Sequence, residues 1–186
     1  LACRAGIDIL GMLPKLNEKW LPILKEPMGL GIGINSGIAR VGNTGSHRKF
    51  KYGPLGNTVN LASRVQGATK YLKTKLLVTG PTYSQIDSSF HARRLCQVRV
   101  VNIAKPVDLY EVVPEGYPGW PLAKQEYERA LTEFERKNFR IASRILGNLR
   151  AECPEDGPAL VLLSRAVNCM VDEPHPFDPI WDLPGK

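Results

Sequence analysis

No apolar run in this chain approaches the roughly 20 residues that a bilayer-spanning helix needs, so none of its 186 residues is assigned to such a helix. Cysteine is sparse. The four present, Cys3, Cys96, Cys153 and Cys169, stand far apart and show no paired metal-ligand spacing. They read as reduced small hydrophobes of a cytoplasmic chain, which excludes a disulfide scaffold and a zinc ribbon. Histidine is sparser still. His47, His91 and His175 are isolated, with no acidic or cysteine partner at useful spacing, so none is expected as ligand or base. The chain also lacks an initiating Met and a signal peptide. It opens at Leu1 inside a helix-like pattern, and its natural N-terminus is expected upstream.

What is present suits a soluble globular chain: 43% hydrophobic and 23% charged residues. That is enough for one core, or one core and a smaller appendage. The net charge of +7 favours an anionic ligand, whether nucleotide, nucleic acid or lipid surface. The basic residues, among them Arg40, Arg48, Lys51, Arg64, Lys70, Arg93, Arg94 and Arg99, form no unbroken block, and most are expected on a solvated surface. A nucleic-acid-binding sheet needs aromatic residues interleaved on exposed strands. The strands GIGINS and VRVVNI have none, so no nucleic acid is expected as partner.

The periodicity alternates between helix and strand. Ala2, Ala5, Ile9, Leu13 and Leu16 predict an amphipathic helix that Pro14 kinks or ends. LGIGINS at 30–36 reads as a buried strand, GIARV at 37–41 as a second, GNTGS at 42–46 as a turn, and 48–52 as a returning hairpin arm. Asn57 to Gln66 predicts a helix with Asn57 or Thr58 as N-cap. A short strand at 76–79, a helix opened by Pro81 and a hairpin of 98–103 with 107–113 follow. PEGYPGWP at 114–121 marks a composition break. Beyond it, three helices are predicted at 122–136, 138–152 and 157–171. Their inward faces are read as Tyr127, Ala130, Leu131 and Phe134, then Phe139, Ala142, Ile145 and Leu146, then Leu160, Leu163 and Val167. One such helical hairpin resembles a single tetratricopeptide unit, which needs neighbours to be stable. The Pro-rich tail is expected as a strap with Phe177, Ile180 and Trp181 docked.

The segment with chemical content is YGPLGNTVNLASR, Tyr52 to Arg64. A strand ends, a Gly-containing turn follows, and a helix begins with Asn60 and Arg64 one turn apart on one face. An amide and a guanidinium near a helix N-terminus are donors with no labile proton, suited to stabilising a phosphoryl group. The same spacing also fits a structural arrangement in which Arg64 pairs with a carboxylate and Asn60 caps a turn. Spacing alone leaves both open.

GIGINSGIARVGNTGS followed by YGPLGNTVNLASRV resembles the second half of a class III adenylate or guanylate cyclase domain. The likeness runs from the opening helix through LLVTGPTY at 76–83 to VDLYEVV at 107–113. It implies an α/β (α+β) fold, a partial ferredoxin-like cyclase domain followed by a small all-α helical hairpin module. It further implies that Asn60 orients a ribose and that Arg64 stabilises the α-phosphate while the 3′-hydroxyl attacks. Three departures accompany it. The family's two metal-binding aspartates would lie upstream of Leu1, so no metal ligand is expected in this chain, and the Mg2+ or Mn2+ would be held elsewhere. The position that commonly contacts the purine is Gly53, which leaves the base to backbone or water. A Lys-Gly-Lys turn that meets the polyphosphate is replaced by Val101-Asn102-Ile103, with Lys105 two residues late as a possible substitute.

The organisation expected is therefore a cyclase part at 1–113, a linker at 114–121, a helical module at 122–171 and a strap at 172–186. The resemblance implies a homodimer whose interface active sites convert ATP to 3′,5′-cyclic AMP and pyrophosphate. One protomer would bring the metal aspartates and the other Asn60 and Arg64, so this chain alone is expected to be inactive. The alternative is a degenerate module that binds nucleotide or a partner without turnover, prompted by Gly53 and the missing lysine turn. The helical module is expected to have a protein partner of its own.

Overall fold

The structure, a computed structural model, describes residues 1–182 apart from 47, 48, 101, 102, 104 and 173. The expectations for His47, Arg48, Val101 and Asn102, and for the last four residues of the strap, lie outside the described residues. The elements in chain order are α1 (Ala2–Leu24), β1 (Ile32–Ile34), β2 (Arg40–Ser46), β3 (Lys49–Leu55), α2 (Asn57–Tyr71), β4 (Leu76–Thr79), α3 (Gly80–Tyr83), β5 (His91–Arg99) and β6 (Val107–Val113). They continue with α4 (Trp120–Glu135), α5 (Phe139–Glu152), α6 (Gly157–Val171) and β7 (Trp181–Asp182). The fold is α+β. One sheet has the order β1-β4-β6-β5-β7, and β2 and β3 form a separate antiparallel ribbon. β1 runs parallel to β4 and β7 parallel to β5, while β6 is antiparallel to both of its neighbours.

The sheet is covered on both faces because β4 is apolar on both. Leu76 and Val78 point to one side and join Cys3 of α1, Ala92 and Val112. Leu77 points to the other and joins Leu61, Val65, Ala68 and Leu72, Leu95 and Leu109, and the inward residues of α4, α5 and α6. This second cluster continues past 114–121 without interruption. Trp120, expected in the linker, is 5% exposed and opens α4.

Four local expectations are corrected. α1 does not end at Pro14; it passes through Pro14 and Pro22, both exposed, so water can replace the amide bonds that the prolines remove. It stops at Lys25, which takes φ 66° and donates its N–H to the Leu21 carbonyl. GNTGS is not a turn. It pairs residue by residue with β3, from Arg40 opposite Leu55 to Ser46 opposite Lys49, and GIARV enters the ribbon only at Arg40. Gly45, within the ribbon, takes φ 132°, a backbone conformation that favours glycine. On α6 the buried face is Ala159, Leu162 and Ala166, one residue round from the predicted one, and Leu160 and Val167 are exposed. The two alanines let α6 approach α5 closely, which larger side chains would prevent. Finally, part of the tail is a strand: Val98 pairs with Trp181 and Arg99 with Asp182.

Arg93 overturns the expectation of a solvated surface at its own position. It is 1% exposed, the third residue of β5. Its guanidinium meets Asp156 at 2.7 and 2.9 Å and Glu111 at 2.7 Å, and donates to the Ala123 carbonyl. It lies over the Trp120 and Tyr127 rings. Burial alone would pull its pKa down; the two carboxylates outweigh that and hold it above the ordinary arginine value.

Candidate active site

Asn35 and Ser36 follow β1, and β3 leads through Gly56 into α2. Gly56 takes φ 120° as the N-cap, a conformation that favours glycine. Asn57 and Thr58, the predicted caps, do not cap: α2 has no side-chain cap, and the Val59 and Asn60 N–H groups both donate to the Gly56 carbonyl. The first turn contains no acidic residue. The positive end of the helix is therefore not neutralised by its own side chains.

α2 lies back along β1. Gly33 touches the helix so closely that a Cβ there would sit 2.2 Å from the Gln66 nitrogen, and one on Gly31 would overlap the Thr69 hydroxyl. At the other end, the Asn35 amide donates to the Thr58 carbonyl at 3.0 Å. The helix start thus lies at the C-terminal end of β1. Because β1 and β4 are parallel, this is also the end where α3 begins and where β5 turns into β6.

Leu61, Val65, Ala68 and Thr69 form the buried face of α2. Asn60 and Arg64 lie beside that face, Asn60 exposed and Arg64 half-buried. Among the described residues neither side chain has a hydrogen bond or ion pair. The structural alternative, Arg64 bound to a carboxylate and Asn60 capping a turn, is not the arrangement found. Gly53 is in β3 opposite Gly42, and a Cβ on either would meet nothing within 4 Å, so the ribbon is open at that point. Lys105 is exposed in the connection between β5 and β6, at the same end of the sheet as the start of α2. The fold thus places Gly53, Asn60 and Arg64 on contiguous elements and Lys105 at the same sheet end. Among the described residues no group of three or more His, Cys, Asp or Glu side chains could hold a metal ion. Mg2+ or Mn2+ does not fit a ligand set drawn from them.

One feature escaped the sequence reading. The Thr79 hydroxyl donates to the Asn35 side-chain oxygen Oδ1 at 2.7 Å, and Thr82, 5% exposed, donates to the Ser36 hydroxyl at 3.1 Å. The signal available was a polar residue closing each of two apolar strands, GIGIN and LLVT.

The family model for the adenylate and guanylate cyclase catalytic domain matches residues 3–111, more than half of the chain. The chain belongs to this family. The matched part runs from α1 into β6, leaving α4, α5 and α6 outside it. Adenylate cyclase 1 of Rhizobium meliloti (strain 1021) is 30% identical over 112 residues, covering 60% of this chain and 17% of the relative. The adenylate cyclase, terminal-differentiation specific, of Dictyostelium discoideum is 26% identical over 144 residues, 74% of this chain and 7% of the relative. The chain therefore spans a small part of the curated relatives it matches. Among solved structures, the guanylyl cyclase Cya2 is similar with a TM-score of 0.52 and 29% identity, over 63% of this chain and 59% of that one. A bacterial light-regulated adenylyl cyclase gives 0.51 and 26%, over 62% of this chain and 34% of that one.

Proposed function

We propose that this chain supplies the Asn60 and Arg64 half of a dimer-interface active site that converts ATP to 3′,5′-cyclic AMP and pyrophosphate. The observation that carries the reading is the pair itself: an amide and a guanidinium one turn apart on α2, Asn60 near its uncapped start and Arg64 at its middle, both without a partner among the described residues. A guanidinium left unpaired next to a buried helix face is available to an anionic ligand. In the reaction the 3′-hydroxyl gives up its proton to solvent as its oxygen bonds to the α-phosphorus, the bond from that phosphorus to the oxygen bridging to the β-phosphate breaks, and pyrophosphate departs with the electron pair. Asn60 orients the ribose, and Arg64 neutralises charge that grows on the α-phosphoryl oxygens. Lys105 meets the polyphosphate. The base lies by the open strand at Gly53, which has no side chain to read it, so the choice of ATP over GTP rests on the names of the curated relatives. The metal carboxylates come from residues outside this chain's described ones, on a second protomer, and Mg2+ or Mn2+ would there neutralise the triphosphate; this chain by itself does not turn over. Among the described residues no helix is long and apolar enough to cross a membrane. The availability of ATP supports a cytoplasmic site for the activity, whether or not regions upstream anchor the full-length protein to a membrane. The helices α4 to α6 carry a separate site for a protein partner.

A second reading, nucleotide binding without turnover, is favoured by Gly53. Steady-state assays of cyclic nucleotide formation by the complete protein separate the two. Asn60→Ala and Arg64→Ala each lower kcat by about 10-fold or more with modest change in KM, as for contacts made mainly in the transition state. Wild-type turnover in both variants would overturn the proposal, and undetectable turnover in the unmodified protein would favour the second reading.

A further inference from the structure

We infer that Asn35 is a positioning residue for this site, setting the first turn of α2 and, through it, Asn60; the inference rests on the reading of Asn60 and Arg64 above. The Thr58 carbonyl can only accept, so the Asn35 amide nitrogen must face it. That orientation turns the Asn35 oxygen toward Thr79, whose hydroxyl must then donate. Thr79 is fully buried, so water does not compete for this bond. Thr82 stands behind it, with hydroxyls 3.3 Å apart, and is itself tied to Ser36. The result is a relay from β4 and α3, through the side chain that follows β1, to the second residue of α2.

Thr58 is held a second time by its own hydroxyl, which donates to the Ile38 carbonyl at 2.6 Å. Backbone and side chain of Thr58 are thus fixed from two directions, two residues before Asn60. α2 has no side-chain cap of its own. The grip of Asn35 holds the helix start from another element through the Thr58 carbonyl, and leaves the N–H groups of the first turn uncapped. Asn60 has no side-chain partner among the described residues. Its placement is inherited from the backbone beneath it, and a displacement on the order of 1 Å is enough to cost about 100-fold in rate.

The test uses the complete protein and measures kcat, KM and thermal unfolding for Asn35→Ala, Thr79→Val, Thr79→Ser, Asn60→Ala and the double variant Asn35→Ala/Asn60→Ala. Asn17→Ala is the control, because Asn17 makes a similar amide clip, to the Met28 N–H and carbonyl, away from α2. The expected result is a kcat about 10-fold lower in Asn35→Ala with KM little changed. Thr79→Val follows it, Thr79→Ser returns turnover, and Asn17→Ala keeps it. In the Asn60→Ala background, Asn35→Ala has little further effect, because nothing remains to be positioned. An equal fold-loss in both backgrounds, or wild-type kcat in a folded Asn35→Ala, overturns the inference. If Asn35→Ala fails to fold, the Thr79 pair decides, and equal turnover in Val and Ser variants overturns it. Wild-type turnover in Asn60→Ala instead overturns the reading of the site; impaired Asn60→Ala beside unimpaired Asn35→Ala removes this inference alone.

Discussion

At the residue scale, Arg93 and Arg64 show how neighbours decide the fate of the same side chain. Arg93 is buried between two carboxylates and two aromatic rings, and Arg64 is left without a partner among the described residues. Removing the cation from the first arrangement strands Glu111 and Asp156 in the core. Arg93→Met is therefore expected to lower stability by about 3–5 kcal/mol, read as a fall in the urea midpoint. Arg99→Met, which breaks only exposed contacts to Asp178 and Asp182, leaves that midpoint nearly unchanged. A midpoint equally insensitive to both would refute this account of the core. That Asn60 and Arg64 stand on one helix, one turn apart, was legible in the sequence because this spacing is a local property. Asn35 was not, because its partner Thr79 is 44 residues away. Arg93 was not either, since nothing in HARRLCQ says which arginine of two faces inward.

At the element scale, two glycines predict opposite outcomes for one substitution. Gly33 lies against the backbone of α2, with a Cβ position 2.2 Å from Gln66 nitrogen, whereas a Cβ on Gly147 of α5 would meet nothing within 4 Å. Gly33→Ala must push the helix off the strand and is expected to cost about 3 kcal/mol. Gly147→Ala should stabilise by about 0.5–1 kcal/mol through helix propensity. Calorimetry on both variants checks the pair, and a stable Gly33→Ala would mean that α2 does not rest on β1 as described. The helices were readable from periodicity, and α4 and α5 bury the faces it indicates; α2 does not, since the spacing of Val59, Ala62, Ser63 and Gln66 marks its helix but Leu61, Val65, Ala68 and Thr69 form its buried face. α6 departs because burial there is decided by how closely two helices can approach, and small residues win over large ones at that contact. GNTGS departs because glycine permits a turn without requiring one, and seven residues of ladder pairing outweigh the local preference.

At the scale of the whole molecule, the strap joins parts distant in sequence. Phe177 packs edge-on against Phe134 of α4 and Phe139 of α5. Arg165 of α6 donates to the carbonyls of Asp178, Pro179 and Ile180, and stacks over Trp181 beside β5. Phe177→Ala should cost about 2 kcal/mol, a Tm lower by about 4–8 °C for a chain of this size. An unchanged Tm would show the strap to be ornamental to stability. The sequence by itself determined the family, the α+β class, the helix carrying Asn60 and Arg64, and the turn preceding it. These are written in local spacing, which a linear reading can see. Only the tertiary structure decided that the helices beyond Pro114 share a core with the sheet, that Arg93 is buried, that the tail adds a strand, and that Asn35 grips the start of α2. Each depends on which distant residues meet. Burial, close approach and the pairing of buried polar groups are properties of that meeting, not of either segment alone.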